Sequence, residues 1–174
     1  MRYILAGGPT CGKTSLVKEL RRRGFVSVDE SAREVIKEKR FTPGTAEFQV
    51  EIFKRQIERE NNSPLPAFFD RSALEGIAYS RKYLSAVPKE IANFDYCGRY
   101  SAIFLLERLP FQRDGERVEK DDKEAEEVHQ HIILAYQERG YFPIHVPILP
   151  GKFEESLARR ADYIISRVGG LNGN

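Results

Sequence analysis

The stretch GGPTCGKT occupies residues 7–14, between an apolar run at residues 3–6 and an amphipathic pattern over residues 13–23. Such a stretch packs poorly, because glycine has no side chain to bury, but its backbone can adopt tight turns. The spacing G-x-x-x-x-G-K-T, placed after a strand and at the start of a helix, is typical of a loop whose backbone N–H groups cradle phosphate. The sequence therefore predicts a nucleotide phosphate loop.

Each residue type in this loop has its own expected task. Lys13 would reach the β- and γ-phosphates, and the Thr14 hydroxyl would bind Mg²⁺. Cys11 is either a small filler residue, which we favour, or a thiol with a lowered pKa at a helix N-terminus. The alternative for the whole stretch is a strand–helix turn that binds nothing. The expected nucleotide-binding set is Gly7, Gly8, Pro9, Thr10, Cys11, Gly12, Lys13, Thr14 and Ser15.

Composition limits the remaining options. The 174 residues are 41% hydrophobic and 31% charged, which suits one domain over residues 1–174. A net charge of +2 gives no reason to expect nucleic-acid binding. No apolar run approaches the roughly 20 residues that span a bilayer, so no membrane partner is expected. With 2 cysteines and no signal-peptide pattern, we expect a cytoplasmic protein; the oligomeric state stays open.

Strand-like and helix-like patterns alternate along the chain. Apolar runs predict strands at residues 3–6, 25–28, 67–69, 102–106 and 145–149. Amphipathic patterns predict helices at residues 13–23, 44–59, 123–139 and 153–168, the second of them capped at Thr42-Pro43. Such alternation predicts an α/β fold in three layers, with a parallel five-stranded sheet between helices. For a phosphate-loop fold of the kinase type, the expected strand order is 2-3-1-4-5.

Two of the predicted strands end in acidic residues. Asp29 and Glu30 follow the second strand, and Asp70 follows the third. Because the kinase-type order places the third strand beside the first, we assign Asp70 to the metal. Asp29 or Glu30 would then face the acceptor and take a hydroxyl proton. Arg71 could pair with an anionic acceptor. The alternative for all three acids is helix capping.

The segment over residues 108–122 is rich in charge and follows the fourth strand. Phosphoryl transfer needs positive charge over the transferring group and exclusion of water. We therefore interpret the segment as a lid that carries Arg113 and Arg117, with a solvated loop as the alternative. Arg108 is a candidate to contact the nucleotide base, together with the turn over residues 147–152.

Several of these motifs recur in the same order in a known family. They are the phosphate loop, Asp29-Glu30-Ser31-Ala32-Arg33-Glu34, Phe69-Asp70-Arg71 and Pro110-Phe111 followed by Asp114-Gly115-Glu116-Arg117. The whole chain resembles the AAA-type phosphate-loop family that includes the nicotinamide riboside kinase domains of bacterial NAD regulators. The resemblance implies that Glu30 and Arg33 lie at the acceptor site and that Arg117 reaches over the phosphates, with Arg113 as its partner. The riboside kinases carry Pro-Trp where this chain carries Pro110-Phe111.

Four function classes fit a phosphate loop. A Mg²⁺- and ATP- or GTP-dependent kinase of a nucleoside, nucleotide or related metabolite leads, because acceptor-side carboxylates and a lid are both present. A guanine-nucleotide switch would need Asn/Thr-Lys-x-Asp after a strand, and the nearest match, residues 119–122, lies in the lid. A motor ATPase would need a further helical domain. A nucleotide-binding regulatory protein or plain NTPase without kinase activity remains the alternative.

Overall fold

The computed structural model describes residues 1–109 and 121–171, and these form one sheet flanked by helices. The strands are β1 (Arg2–Ala6), β2 (Ser27–Val28), β3 (Ala67–Asp70), β4 (Ala102–Leu106) and β5 (Ile144–Val146). The helices are α1 (Lys13–Arg22), α2 (Ala32–Glu38), α3 (Ala46–Asn62), α4 (Glu75–Tyr83), α5 (Lys89–Ala92), α6 (Asp122–Glu138) and α7 (Phe153–Leu171).

The sheet has the order β2-β3-β1-β4-β5, and every strand pair is parallel. This confirms the expected three-layer fold and its strand order. In the register, Leu5 of β1 pairs with Asp70 of β3, and Ala6 pairs with Leu105 of β4. The carboxyl ends of β1, β3 and β4 therefore meet at one edge of the sheet, where ligands of open α/β folds bind.

Both faces of the sheet are buried. Because alternate residues of a strand point to opposite faces, each strand contributes side chains to two separate cores. Ile4 and Ala6 belong to a core with residues of α3, α4 and α6. Tyr3 and Leu5 belong to a second core with residues of α1 and α7. The apolar face of α6 is fully buried and consists of Ala125, Val128, Ile132 and Tyr136. Gly140 follows the C-cap residue of this helix and has φ +77°.

The sequence missed some local features. Helices α2, α4 and α5 were not predicted, because they have 7, 9 and 4 residues and too few turns to show a clear period. Helix α3 is capped by Thr45, whose Oγ1 accepts a hydrogen bond from Phe48 N, so the cap predicted at residues 42–43 is wrong. Strands β2 and β5 are shorter than expected.

Most of the predicted lid, residues 110–120, lies outside the described residues. Helix α6 begins at Asp122, and Asp121 caps it by accepting a hydrogen bond from Glu124 N. Among the residues that the structure describes, no helix is long and apolar enough to cross a membrane.

Candidate functional site

The loop between β1 and α1 is shaped by backbone conformations that few side chains tolerate. Gly7 has φ +135°, and a Cβ there would lie 2.9 Å from Cys11 Sγ. Gly12 has φ +80° and precedes α1, whose first turn receives no side-chain cap. The uncapped N–H groups and the helix dipole both favour an anion at this position. The loop thus has the backbone geometry that its sequence predicts.

Helix α6 supports the loop from the side. Gly8 N donates a hydrogen bond of 3.0 Å to His129 Nδ1. A Cβ on Gly8 would lie 2.9 Å from His129 Cβ, so glycine permits this close approach. His129 is therefore the tautomer that carries its proton on Nε2. Burial lowers the pKa of His129, with Lys13 and Arg108 acting in the same direction and Glu126 opposing them.

Helix α7 braces the loop from another side. Arg160 is buried and donates from Nη1 to Cys11 O (3.0 Å) and from Nη2 to Glu107 O (3.1 Å). The Cys11 side chain is buried, and its burial raises the pKa of the thiol. The structure therefore supports the filler interpretation of Cys11. His129 and Arg160 hold the loop in place between two helices.

Lys13 is folded back onto the loop. Its Nζ donates to Gly7 O (2.6 Å) and Gly8 O (2.7 Å), and the side chain is buried. The ammonium group therefore lies over the loop that would surround the phosphates. Its phosphate-binding role stays a prediction.

Thr14 and Asp70 form a pair with the chemistry of a magnesium site. Thr14 Oγ1 donates to Asp70 Oδ2 at 2.9 Å. Asp70 is buried, and its Oδ1 has no hydrogen-bond partner among the described residues. Mg²⁺ is ligated by oxygen atoms, and a hydroxyl oxygen and a carboxylate oxygen are both suitable ligands. These residues therefore fit a magnesium ion. Burial and nearby Glu30 raise the pKa of Asp70 to about 6.

Glu30 is the best-anchored carboxylate after β2. Its Oε1 lies 2.9 Å from Arg33 Nε, and its Oε2 lies 2.7 Å from Arg71 Nε. Burial alone would raise the pKa of Glu30, but the positive charges of Arg71, Lys13 and Arg33 lower it. The carboxylate therefore stays ionised and fixed in orientation.

Arg71 has an unusual backbone for a residue with a side chain. Its φ is +69°, the left-handed region that costs on the order of 1 kcal/mol or more outside glycine. Gln56 Nε2 donates to Arg71 O (3.2 Å), and Ser31 Oγ donates to Gln56 Oε1 (3.2 Å). The guanidinium lies 4.8 Å from the centre of the Tyr79 ring. These contacts hold a strained residue that points its charge at Glu30.

A cavity opens beside these groups, between α2, α3 and α4. Its volume is about 120 Å³. The phosphate loop contributes Pro9 to its wall, and Glu30, Arg33 and Arg71 contribute the charged face. The aromatic part of the wall consists of Phe48, Phe53, Tyr79 and Tyr83, which also pack in or against the core.

Glu75 also lines this cavity, and the sequence analysis did not identify it. It is the first residue of α4 and is 2% exposed. Burial raises its pKa to about 7, although Arg71, Lys13 and the hydroxyl of Tyr136 act to lower it. The signal that could have found it is its place four residues after Arg71, at the start of the helix that follows β3.

The structure brings only one of the two predicted acids after β2 to the cavity. The Asp29 side chain is 56% exposed and lies 3.1 Å from Arg21 Nη2, and it does not line the cavity. The structure therefore separates the neighbouring acids, and only Glu30 remains a candidate to contact the acceptor. Arg108 pairs with Asp122 and Glu126 of α6, and its contact with the nucleotide base stays a prediction.

Two further predictions concern other segments. Arg113 and Arg117 lie outside the described residues, so their lid roles stay predictions. The turn after β5 contacts α7, where Arg159 Nη1 donates to Pro150 O at 2.9 Å. Sequence periodicity indicates only the apolar faces of α6 and α7, so it does not point to the loop contacts of His129 and Arg160.

Comparison with known proteins agrees with this geometry. No curated protein matches the sequence. Among solved structures, a NadR protein in complex with NR aligns with a TM-score of 0.72 and 21% identity over 97% of this chain and 51% of that one. The chain thus spans about half the length of that NadR chain. Deoxyadenosine kinase from M. mycoides, with dCMP and dCDP bound, aligns with a TM-score of 0.66 and 12% identity over 98% of this chain and 100% of that one.

A third structure extends the likeness. Thymidylate kinase from Ehrlichia chaffeensis aligns with a TM-score of 0.60 and 12% identity over 97% of this chain and 98% of that one. At these identities the likeness establishes the fold. A family model described as an AAA domain matches residues 2–155, which include the phosphate loop, Glu30 after β2 and Asp70 at the end of β3. The chain therefore belongs to this AAA domain family.

Proposed function

We propose that the chain is a Mg²⁺-dependent kinase that transfers the γ-phosphate of ATP or GTP to a small molecule in the cavity between α2, α3 and α4. One observation carries the proposal. The phosphate loop, through Pro9, and the carboxylate–arginine pair of Glu30 and Arg71 line the same cavity. A nucleotide phosphate and an acceptor hydroxyl could thus meet at one place.

The binding side of the reaction belongs to the loop. The first N–H groups of α1 and the ammonium group of Lys13 would hold the phosphates and oppose their charge. Thr14 and Asp70 would hold Mg²⁺, which neutralises phosphate charge when it is bound. The unsatisfied Oδ1 of Asp70 supports this assignment.

The acceptor side belongs to Glu30. Its two arginine partners keep it ionised, so the carboxylate is able to accept the hydrogen bond and then the proton of the attacking hydroxyl. Arg71 already has Glu30 as a partner, so its first role is to orient this carboxylate. Arg113 and Arg117 would close over the transferring phosphate, as the resemblance implies.

The wall of the cavity favours a small acceptor with a flat ring. Phe48 and Tyr79 offer aromatic surface, while the charged groups gather near the phosphate loop. Flat rings pack well against aromatic side chains. A nucleoside, a nucleotide or a related metabolite has both a ring and a hydroxyl. The kinases among the structural neighbours agree with this class.

A panel of nucleosides, nucleoside monophosphates and nicotinamide riboside tests the proposal. With ATP and Mg²⁺, ADP release should be slow alone and faster with one class of acceptor, because the site is complete only when an acceptor excludes water. Fast ADP release that no acceptor changes would contradict the proposal and would favour a plain NTPase. No stimulation by any member, with ATP still bound, would favour a nucleotide-binding regulatory protein.

A further inference from the structure

Glu60 and Glu75 are both almost completely buried, but they differ in their hydrogen-bond partners. Glu60 of α3 is 0% exposed, and both of its oxygens are occupied. It accepts hydrogen bonds from Ala73 N (2.8 Å), Arg99 Nε (2.7 Å) and the Tyr100 hydroxyl. Glu60 is therefore a structural acid whose hydrogen bonds offset the cost of burying it.

Glu75 lacks this full set of partners. Its Oε1 accepts a hydrogen bond of 3.1 Å from the Tyr136 hydroxyl, whose oxygen also lies 2.7 Å from Ser72 Oγ. Its Oε2 is buried and has no hydrogen-bond partner in the described part of the chain. A buried carboxylate oxygen without a donor is unfavourable, so it needs an explanation.

The position of Glu75 supplies the explanation. The residue lines the same cavity as Glu30 and Arg71, whereas Glu60 does not line it. The Tyr136 hydroxyl holds one oxygen of the carboxyl group by a hydrogen bond, and Ser72 contacts the Tyr136 hydroxyl in turn. One oxygen is thus anchored, and the other has no donor among the described residues.

We propose that Glu75 is a binding residue for the acceptor, and that its Oε2 receives a hydrogen bond from a hydroxyl or amino group other than the one phosphorylated. This inference rests on the proposed kinase function and adds a requirement on the substrate. The acceptor must carry at least two polar groups: the attacking hydroxyl near Glu30 and a second hydrogen-bond donor that reaches Glu75. A site built to accept such a bond discriminates strongly against analogues that lack the donor.

The test compares an acceptor with analogues that each lack one donor. Adenosine, for example, is measured beside purine riboside, which lacks the amino group, and beside 2′-deoxyadenosine and 3′-deoxyadenosine. The same set is built around whichever panel nucleoside stimulates ADP release most strongly. This comparison separates an amino group from a ribose hydroxyl as the partner of Glu75.

With the wild-type protein, the KM of one analogue should exceed that of the full acceptor by on the order of 10- to 100-fold. The KM of the other analogues should change much less. Glu75→Gln should raise the KM of the full acceptor by a similar factor while changing the KM for ATP far less, because the amide oxygen keeps the Tyr136 hydroxyl as its donor and the amide NH2 group then faces the donor of the acceptor. The analogue that lacks the relevant donor should have the same KM in Glu75→Gln as in the wild type. The substitution and the missing donor remove the same hydrogen bond, so their effects do not add. Glu60→Gln is the matched control: it should lower the melting temperature and leave the acceptor KM unchanged.

Three outcomes would overturn the inference. If the wild-type protein has the same KM for every analogue as for the full acceptor, the inference is wrong, whether or not Glu75→Gln folds. Equal acceptor KM in a folded Glu75→Gln protein would overturn the inference while the kinase function stands. A panel in which no acceptor stimulates ADP release would remove the proposed function, and the inference with it.

Discussion

Arg71 Nε lies 2.7 Å from Glu30 Oε2, so the residue after β3 holds the carboxylate that follows β2. Arg33 holds the other oxygen of the same carboxylate. The two ion pairs, together with Lys13, keep the pKa of Glu30 below its usual value in spite of burial. The side chain of the neighbouring Asp29 is exposed and does not line the cavity.

This difference predicts unequal effects of two matched substitutions. Glu30→Gln should lower acceptor-stimulated ADP release by about 100-fold or more, because an amide cannot take the proton of the acceptor. Asp29→Asn should leave the rate near that of the wild type. Steady-state kinetics of both variants check the prediction, and equal losses in the two would show that Glu30 is not the acceptor-side base.

Asp70 and Thr14 should act through the metal. Asp70→Asn and Thr14→Val should each weaken ATP binding in Mg²⁺ more than ATP binding in EDTA, because each removes one oxygen from the magnesium site. Thr14→Ser keeps the hydroxyl and should behave as the wild type. Calorimetry with and without Mg²⁺ measures the difference. The same metal dependence in all four proteins would instead support helix capping as the role of Asp70.

Lys13 should act through charge. Lys13→Ala should weaken ATP binding about 10- to 150-fold, the cost of one or more lost hydrogen bonds to a charged group. Lys18 lies on the same helix with its side chain exposed, and Lys18→Ala is the matched control. Calorimetry on the two variants compares them at the same net charge. Unchanged ATP affinity in Lys13→Ala would contradict a nucleotide phosphate loop.

His129 should make stability depend on pH. The folded protein holds the pKa of His129 below the value of 6.5 that applies to the unfolded chain, so below pH 6.5 the unfolded chain binds more protons. The contribution of His129 is therefore present above pH 6.5 and is lost as pH falls through the folded pKa, by up to ~1.4 kcal/mol per pH unit. The charged groups that act on it are Glu126, Lys13, Arg108 and His145.

A substitution isolates this effect. His129→Asn can place an amide oxygen where Nδ1 accepts from Gly8 N, but it does not titrate. Urea unfolding between pH 5 and 8 should therefore show the wild type losing more stability at low pH than His129→Asn. His131→Asn, on the same helix, should follow the wild type. Parallel curves for the wild type and His129→Asn would rule out protonation of His129 as the cause.

The parts of the fold that the sequence predicted are those with local causes. The phosphate loop is a backbone structure that glycine spacing specifies directly, and buried parallel strands such as β4 appear as continuous apolar runs. The place of Asp70 followed from strand order alone. The register of Leu5 with Asp70 confirms that β3 lies beside β1.

The missed features depend on tertiary structure. Asp29 and Glu30 are adjacent in sequence, and only the path of the chain into α2 sends one to solvent and the other to the cavity. His129 lies within a correctly predicted helix, but its role depends on the close approach of Gly8. Glu75 is an ordinary first-turn acid by sequence, and its burial beside the cavity follows from how α4 packs on α6 and α3.

The fate of the γ-phosphate tests the central claim most directly. ATP labelled at the γ-phosphate is incubated with Mg²⁺, the wild-type protein and the panel acceptor that most stimulates ADP release, and the products are separated. The proposed kinase function predicts label in an organic phosphate formed from the acceptor, and loss of that product in Glu30→Gln but not in Asp29→Asn. Label found solely in inorganic phosphate, in an amount that the acceptor does not change, would contradict it.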